Sequence, residues 1–173
     1  MRMGGFPKGL LVAPSGETIV VRWKRMFGAL DVPCVLVGRQ AAYDALGIET
    51  LADDPPGIGP LGGLISLLSR AGTGSAIAVG CDMPFVTDEL LARLVGFSSR
   101  APAVAVRRGY LWEPLFARYR APAALAVARA LAAAGRHALF GVLEALAAEA
   151  LPMSHEELAE LRDWDAPPLA SDR

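Results

Sequence analysis

The stretch that most constrains this 173-residue chain is Ser75-Ala76-Ile77-Ala78-Val79-Gly80, followed at once by Cys81-Asp82-Met83-Pro84. An apolar run of strand length with no polar alternation has no side to show to water. It therefore predicts a strand covered on both faces, the environment of a parallel sheet. Around it, short β-branched runs alternate with helical spacing. Strands are expected over 32–37 and 48–52, and helices over 41–46, 61–68 and 87–94, the last capped by Thr87 with Asp88 and Glu89 at the positive end of its dipole. Such alternation predicts an α/β fold in three layers, a doubly wound and mostly parallel sheet. Strands over 101–106 and 111–118, joined at Arg108-Gly109, add a β-hairpin insertion. Helices over 121–134 and 140–148, a strand over 150–153 and a helix over 155–161 complete the chain. With no internal repeat and no low-complexity linker, one domain over 1–173 is expected.

Composition narrows the function. Hydrophobic residues make up 53% and charged residues 20%, with a formal net charge of −1, which excludes a disordered chain and a basic nucleic-acid platform. No apolar run approaches the ~18–20 residues of a membrane span, and residues 1–14 are too weakly apolar for a secretory signal. Cys34 and Cys81 are expected inside strands, away from any framework spacing, which argues against a disulfide scaffold or zinc site and for a reducing cytoplasm. Lys8 and Lys24 are the only lysines among 17 cationic residues, so a lysine within a glycine-rich segment is informative.

Ligands of open α/β sheets bind beyond the carboxyl ends of the strands, and three segments have the composition to work there. In Arg2-Met3-Gly4-Gly5-Phe6-Pro7-Lys8-Gly9, the glycines would let backbone amides approach an anion while Arg2 and Lys8 supply charge; a glycine-rich tail without a role is the alternative. Asp53-Asp54-Pro55-Pro56-Gly57-Ile58-Gly59-Pro60-Leu61-Gly62-Gly63 places proline at a helix start behind glycines, which makes an anion site; an ordinary strand-to-helix loop is the alternative, though it needs fewer glycines and prolines. Asp82 follows the buried strand, where its charge is costly unless paired. A divalent cation is one partner, and a capping role for the next helix is the other reading. Near the end, Asp163 and Asp165 flank Trp164 at strand spacing and either complete a metal site or form a solvated acidic tail.

Taken in order, Arg2-Met3-Gly4-Gly5 with Pro7-Lys8-Gly9, Gly59-Pro60-Leu61-Gly62-Gly63, Cys81-Asp82-Met83-Pro84, Glu113-Pro114-Leu115-Phe116 and Asp163-Trp164-Asp165 with Pro167 resemble the molybdenum cofactor guanylyltransferase family along the whole chain. The resemblance implies a Rossmann-like nucleotidyltransferase fold and transfer of GMP from GTP to molybdopterin in the cytoplasm. Mg2+ would be the cofactor, held by Asp82 with Asp165 as second ligand and Asp163 beside it. Lys8 and Arg2 would neutralise the triphosphate together with Gly4 and Gly5. Asp53, Asp54 and the loop of Gly59, Pro60, Leu61, Gly62 and Gly63 would meet the nucleoside or the acceptor. The implied partners are these two substrates and, transiently, cofactor-handling proteins or target molybdoenzymes, with no nucleic acid and no membrane.

Two departures from the family pattern matter. The family opens with a strand ending in Gly-Gly ahead of the Arg-Met-Gly segment, and only the end of that motif stands here. Because such a strand is central in a doubly wound sheet, its absence is expected to leave two neighbours with unpaired backbone and the domain N-terminally truncated. After the 32–37 strand, Gly38-Arg39-Gln40 stands where the family often has an asparagine near the base. This leaves a cytidylyltransferase for the same cofactor, another small-substrate nucleotidyltransferase, or a noncatalytic nucleotide-fold binding protein as alternatives.

Overall fold

A computed structural model describes residues 7–38 and 40–162. A 3-10 turn at Lys8–Leu10 leads to α1 (Ile19–Gly28), β1 (Val35–Val37), a 3-10 segment at Ala41–Leu46, β2 (Glu49–Leu51), α2 (Pro60–Ala71), β3 (Ser75–Val79) and α3 (Asp88–Gly96). The hairpin β4 (Ala103–Arg108) and β5 (Leu111–Arg120) follows, then α4 (Ala121–Ala133), α5 (Phe140–Ala145), β6 (Glu149–Ala150) and α6 (His155–Glu160). Four strands form a sheet in the order β3-β5-β4-β6, and β1 with β2 forms a separate parallel pair. β5 is antiparallel to both β3 and β4, while β6 is parallel to β4. Thus β3, β4 and β6 share one direction and only the second arm of the hairpin is reversed, which is the mostly parallel α/β sheet expected.

Side-chain alternation along these strands builds two cores. Ala76, Ala78, Ala103, Ala105, Ala117 and Tyr119 face the helices α2, α4 and α5. Their opposite neighbours Ile77, Val79, Val104, Val106 and Phe116 pack with α1 and α3. Small side chains on the first face meet the alanines of α4, of which Ala121, Ala124 and Ala128 are fully buried. Residues that alternate between faces while both faces are covered explain why this part of the sequence shows no polar periodicity.

The two strand groups do not meet. Between β1 and β3 lies a slot with a cavity volume of about 1300 Å3. Its walls include Val35 and Val37 from β1, Ile77 and Val79 from β3, Trp23 from α1 and Leu64 from α2. Among the described residues β1 is paired only with β2 and β3 only with β5, so each turns an unpaired backbone edge toward the slot.

Several expected boundaries shift for identifiable reasons. α1 lies where the sequence predicts no element. The strand expected over 32–37 shrinks to β1 because Val32 N donates to Phe27 O (3.0 Å) in the turn that ends α1, with Asp31 at φ 54. Consequently Cys34 precedes β1, and Cys81 follows β3, so neither lies inside a strand. The strand expected over 150–153 is instead β6, since Pro152 has no N–H to offer a ladder. Thr87 caps α3 as expected, accepting from Leu90 N at 3.2 Å. Among the described residues no helix is long and apolar enough to cross a membrane.

Candidate functional site

Three chain segments converge near the C-terminal end of β3. The first is the 3-10 turn before α1, where Gly9 N donates to Tyr43 Oη at 3.1 Å and carries Lys8 beside it. The second is the 80–86 loop. Lys8 Nζ and Asp82 Oδ2 are 3.2 Å apart, with about a third of each side chain exposed (36% and 32%). The charge of Asp82 therefore has a partner, and that partner is the one lysine that the glycine-rich start supplies. Asp82 does not cap α3, since Thr87 does so. A Cβ at Gly80 would lie 2.6 Å from Asp82 Oδ1, so glycine is what lets the carboxylate fold back over the strand end.

The third segment is the hairpin. β5 bulges opposite Ala105 and Val106, whose partners are Ala117 and Glu113, so Pro114, Leu115 and Phe116 are looped out of the β4 ladder. On the β3 side Leu115 O accepts from Gly80 N (2.9 Å), and Pro114 O accepts from Tyr119 Oη (2.9 Å). Arg108 joins Glu113 Oε2 (3.1 Å) to Leu161 O (2.6 Å), and the Arg162 guanidinium lies 5.3 Å from the centre of the Phe85 ring. The chain thus passes beside the 80–86 loop immediately before Asp163. Asp163 and Asp165, like Arg2, Gly4 and Gly5, lie outside the described residues.

The acidic and glycine-rich loop before α2 divides its work. Asp53 lines the slot, whereas Asp54 lies on a separate shallow surface with Arg129. Gly59 precedes α2 at φ 69 with Pro60 in its first turn, leaving the helix start open to solvent. Leu61, Gly62 and Gly63 are buried. A Cβ at Gly62 would lie 2.4 Å from Pro55 O and one at Gly63 2.7 Å from Val37 Cγ1, so these two glycines admit backbone and strand packing. Two further residues at the site carry no local sequence signal, Tyr43 and Trp23, the latter donating from Nε1 to Gly80 O at 3.1 Å. Burial pushes the Tyr43 hydroxyl above its ordinary range and the Cys81 thiol up to about 11, so both stay protonated near neutral pH and neither is poised as a nucleophile.

An α/β sheet in which β3, β4 and β6 run one way and only β5 is reversed, with a lysine and a carboxylate paired where β3 ends, has the architecture of the Rossmann-like nucleotidyltransferases. The fold is similar to that of molybdopterin-guanine dinucleotide biosynthesis protein A from Archaeoglobus fulgidus, with a TM-score of 0.73 over 94% of this chain and 86% of that one at 22% identity. It is also similar to 2-C-methyl-D-erythritol 4-phosphate cytidylyltransferase from Thermus thermophilus, with a TM-score of 0.69 over 93% and 89% at 17% identity. Residues 1–150 match the MobA-like NTP transferase domain, and the chain belongs to that family. Two relatives named molybdenum cofactor guanylyltransferase agree. One from Pseudomonas putida is 36% identical over 122 residues, 66% of this chain and 62% of its own length; one from Pasteurella multocida is 32% identical over 144 residues, 80% and 75%. The match thus spans less than two thirds of the Pseudomonas putida protein.

Proposed function

We propose that this chain transfers GMP from magnesium-bound GTP to the terminal phosphate of molybdopterin, releasing pyrophosphate, in the cytoplasm. The observation that carries this reading is the Lys8–Asp82 pair at 3.2 Å beside the end of β3, in a family whose named relatives are molybdenum cofactor guanylyltransferases. Among the described residues no three His, Cys, Asp or Glu side chains gather as a ready-made metal cage. A single part-exposed carboxylate suits magnesium, which takes one or two carboxylates and fills its other positions with water and substrate phosphates. Asp82 would hold it, with Asp165 as second ligand and Asp163 beside it. Bound there, magnesium would neutralise charge on the triphosphate.

The protein's part is positioning and electrostatics. Lys8 and Arg2, with the amides of Gly4 and Gly5, would hold the phosphates in line, so that an oxygen of the acceptor phosphate bonds to the α-phosphorus as the bond to pyrophosphate breaks. Asp53 and Asp54, with the 59–63 loop, would bind the nucleoside or the acceptor. The open slot supports a further part of this reading: the nucleotide site is complete when an extended strand lies between β1 and β3 and ends at the turn ahead of Lys8.

Thermal shift with magnesium and either GTP or CTP tests the assignment, because ligand at ~100 times its dissociation constant stabilises by roughly 2.7 kcal/mol. GTP is expected to shift the transition and CTP to leave it in place. A shift with CTP alone would change the product to a cytosine dinucleotide. No shift with either nucleotide, and no pyrophosphate released with molybdopterin present, would mark a noncatalytic binding protein.

A further inference from the structure

α1 carries two consecutive side chains that reach opposite ends of the loop bearing Asp82. Trp23 Nε1 donates to Gly80 O at 3.1 Å, and Arg22 Nη2 donates to Val86 O. Between these points Met83 (2%) and Val86 (0%) are buried. The same helix is tied to the Lys8 segment, through Ile19 N to Leu11 O (3.0 Å) and Ala13 N to Glu17 O (2.8 Å). α1 is therefore the shared frame for both members of the Lys8–Asp82 pair.

We propose that Arg22 and Trp23 are positioning residues, a two-point clamp that sets Asp82 relative to Lys8 for a divalent cation and the triphosphate it carries. This rests on the nucleotidyltransferase reading above. Packing alone does not account for the choice of side chains. Phenylalanine would fill most of the space of Trp23, which already stacks on Phe27 with ring centres 5.9 Å apart, but it has no donor for Gly80 O. Arg22 is only 7% exposed, and its Nη1 has no hydrogen-bond partner among the described residues. Desolvation lowers its pKa first, with Asp88, Glu17 and Glu160 partly opposing and Arg25 adding to the effect. A buried guanidinium with one arm unpaired is held at a cost in stability, which an apolar side chain of similar length would remove.

That cost gives a readout in which positioning and structural roles move in opposite directions. Binding of Mn2+ in the presence of GTP, followed by electron paramagnetic resonance on the full 173-residue chain without acceptor, is measured beside thermal melting for Arg22→Met, Trp23→Phe and Asp82→Asn. The clamp predicts that Arg22→Met melts at the same or a higher temperature while its Mn2+ affinity falls by roughly tenfold or more, the scale of lost second-layer support at metal sites. Trp23→Phe is expected to lose affinity similarly, and if it does not fold, Arg22→Met decides. If Arg22→Met binds Mn2+ like the wild type while Asp82→Asn does not, the clamp is wrong and the nucleotidyltransferase reading stands. A parallel fall of melting temperature and affinity in Arg22→Met would make Arg22 merely structural and also overturn the clamp. Unchanged Mn2+ binding in Asp82→Asn would remove the nucleotidyltransferase reading and the clamp together.

Discussion

The two strand groups of this molecule are built on opposite terms. In the four-stranded sheet, Val104, Ala105, Phe116 and Tyr119 are 1% exposed or less, and β4 and β5 run between layers of helix. In the β1–β2 pair, Leu36 alone is buried, Val37 is 39% exposed, and one edge of β1 faces an open slot. Among the described residues offered above as nucleotide-binding, Asp53 and Gly59 line the slot and the Lys8–Asp82 pair lies where β3 ends, whereas Asp54 lies apart on another surface. Burial is thus concentrated in one part of the chain, and the chemistry proposed for it in another. Loops that must admit and release a ligand belong to the part that opens at low cost.

The largest expected effect tests that division directly. Phe116→Ala removes a fully buried ring from the core shared by β5, α1 and α3 and is expected to cost about 3–5 kcal/mol in denaturant unfolding. Val37→Ala, on a half-open strand, is expected to cost under about 1 kcal/mol, as partly exposed sites usually do. Equal losses at the two positions would show that the slot is closed in solution and the contrast false.

Filling the slot should move the weaker region toward the stronger. An apolar β-branched strand joined through Gly-Gly ahead of Met1 can pair with the free edges of β1 and β3 together. It is expected to add roughly 2 kcal/mol, a rise in Tm of about 4–8 °C for a domain of this size. Cys34 and Cys81 both line the slot, so the same extension should slow their reaction with a thiol reagent. At Cys81 the reaction is expected to be slow from the outset, because burial pushes its thiol up to about 11 and leaves little thiolate near neutral pH. Unchanged melting and unchanged thiol reactivity on extension would mean that the slot does not accept a strand.

The sequence exposes the closed region better than the open one, and the reason is physical. The 75–80 run, the glycine turn at Gly109 (φ 60) and the Thr87 cap are local signals that tertiary packing reinforces. α1 does carry a signal, since Ile19, Val20, Trp23, Met26 and Phe27 recur at helical spacing, but its β-branched and aromatic residues mask it. Thr18 makes no capping side-chain bond to mark its start, and Arg22 puts a charge on the buried face. Asp82 is recognisable as needing a partner, but Lys8 is 74 residues away, and local spacing cannot join two residues so distant. At Gly62 and Gly63 the composition points to an anion loop, while the structure uses both glycines for close packing.

The smallest expected effect on stability is at the residue with the largest expected effect on chemistry. Lys8 and Asp82 are each about a third exposed, and ion pairs of this kind contribute roughly 0.2–1 kcal/mol. Asp82→Asn keeps the shape and an acceptor oxygen for Lys8, and Thr87, the cap of α3, is untouched. Melting of the variant should therefore shift by no more than that contribution, while magnesium-dependent pyrophosphate release falls by several kcal/mol of transition-state stabilisation. Asp82→Ala separates the remaining possibilities, since it removes the acceptor as well as the charge. If Asp82 served only as an acceptor for Lys8, alanine would lower the melting temperature slightly while both variants kept full turnover. Normal turnover in Asp82→Asn with an unchanged magnesium requirement would leave the Lys8–Asp82 pair as a surface contact and dissociate the open region from the chemistry assigned to it.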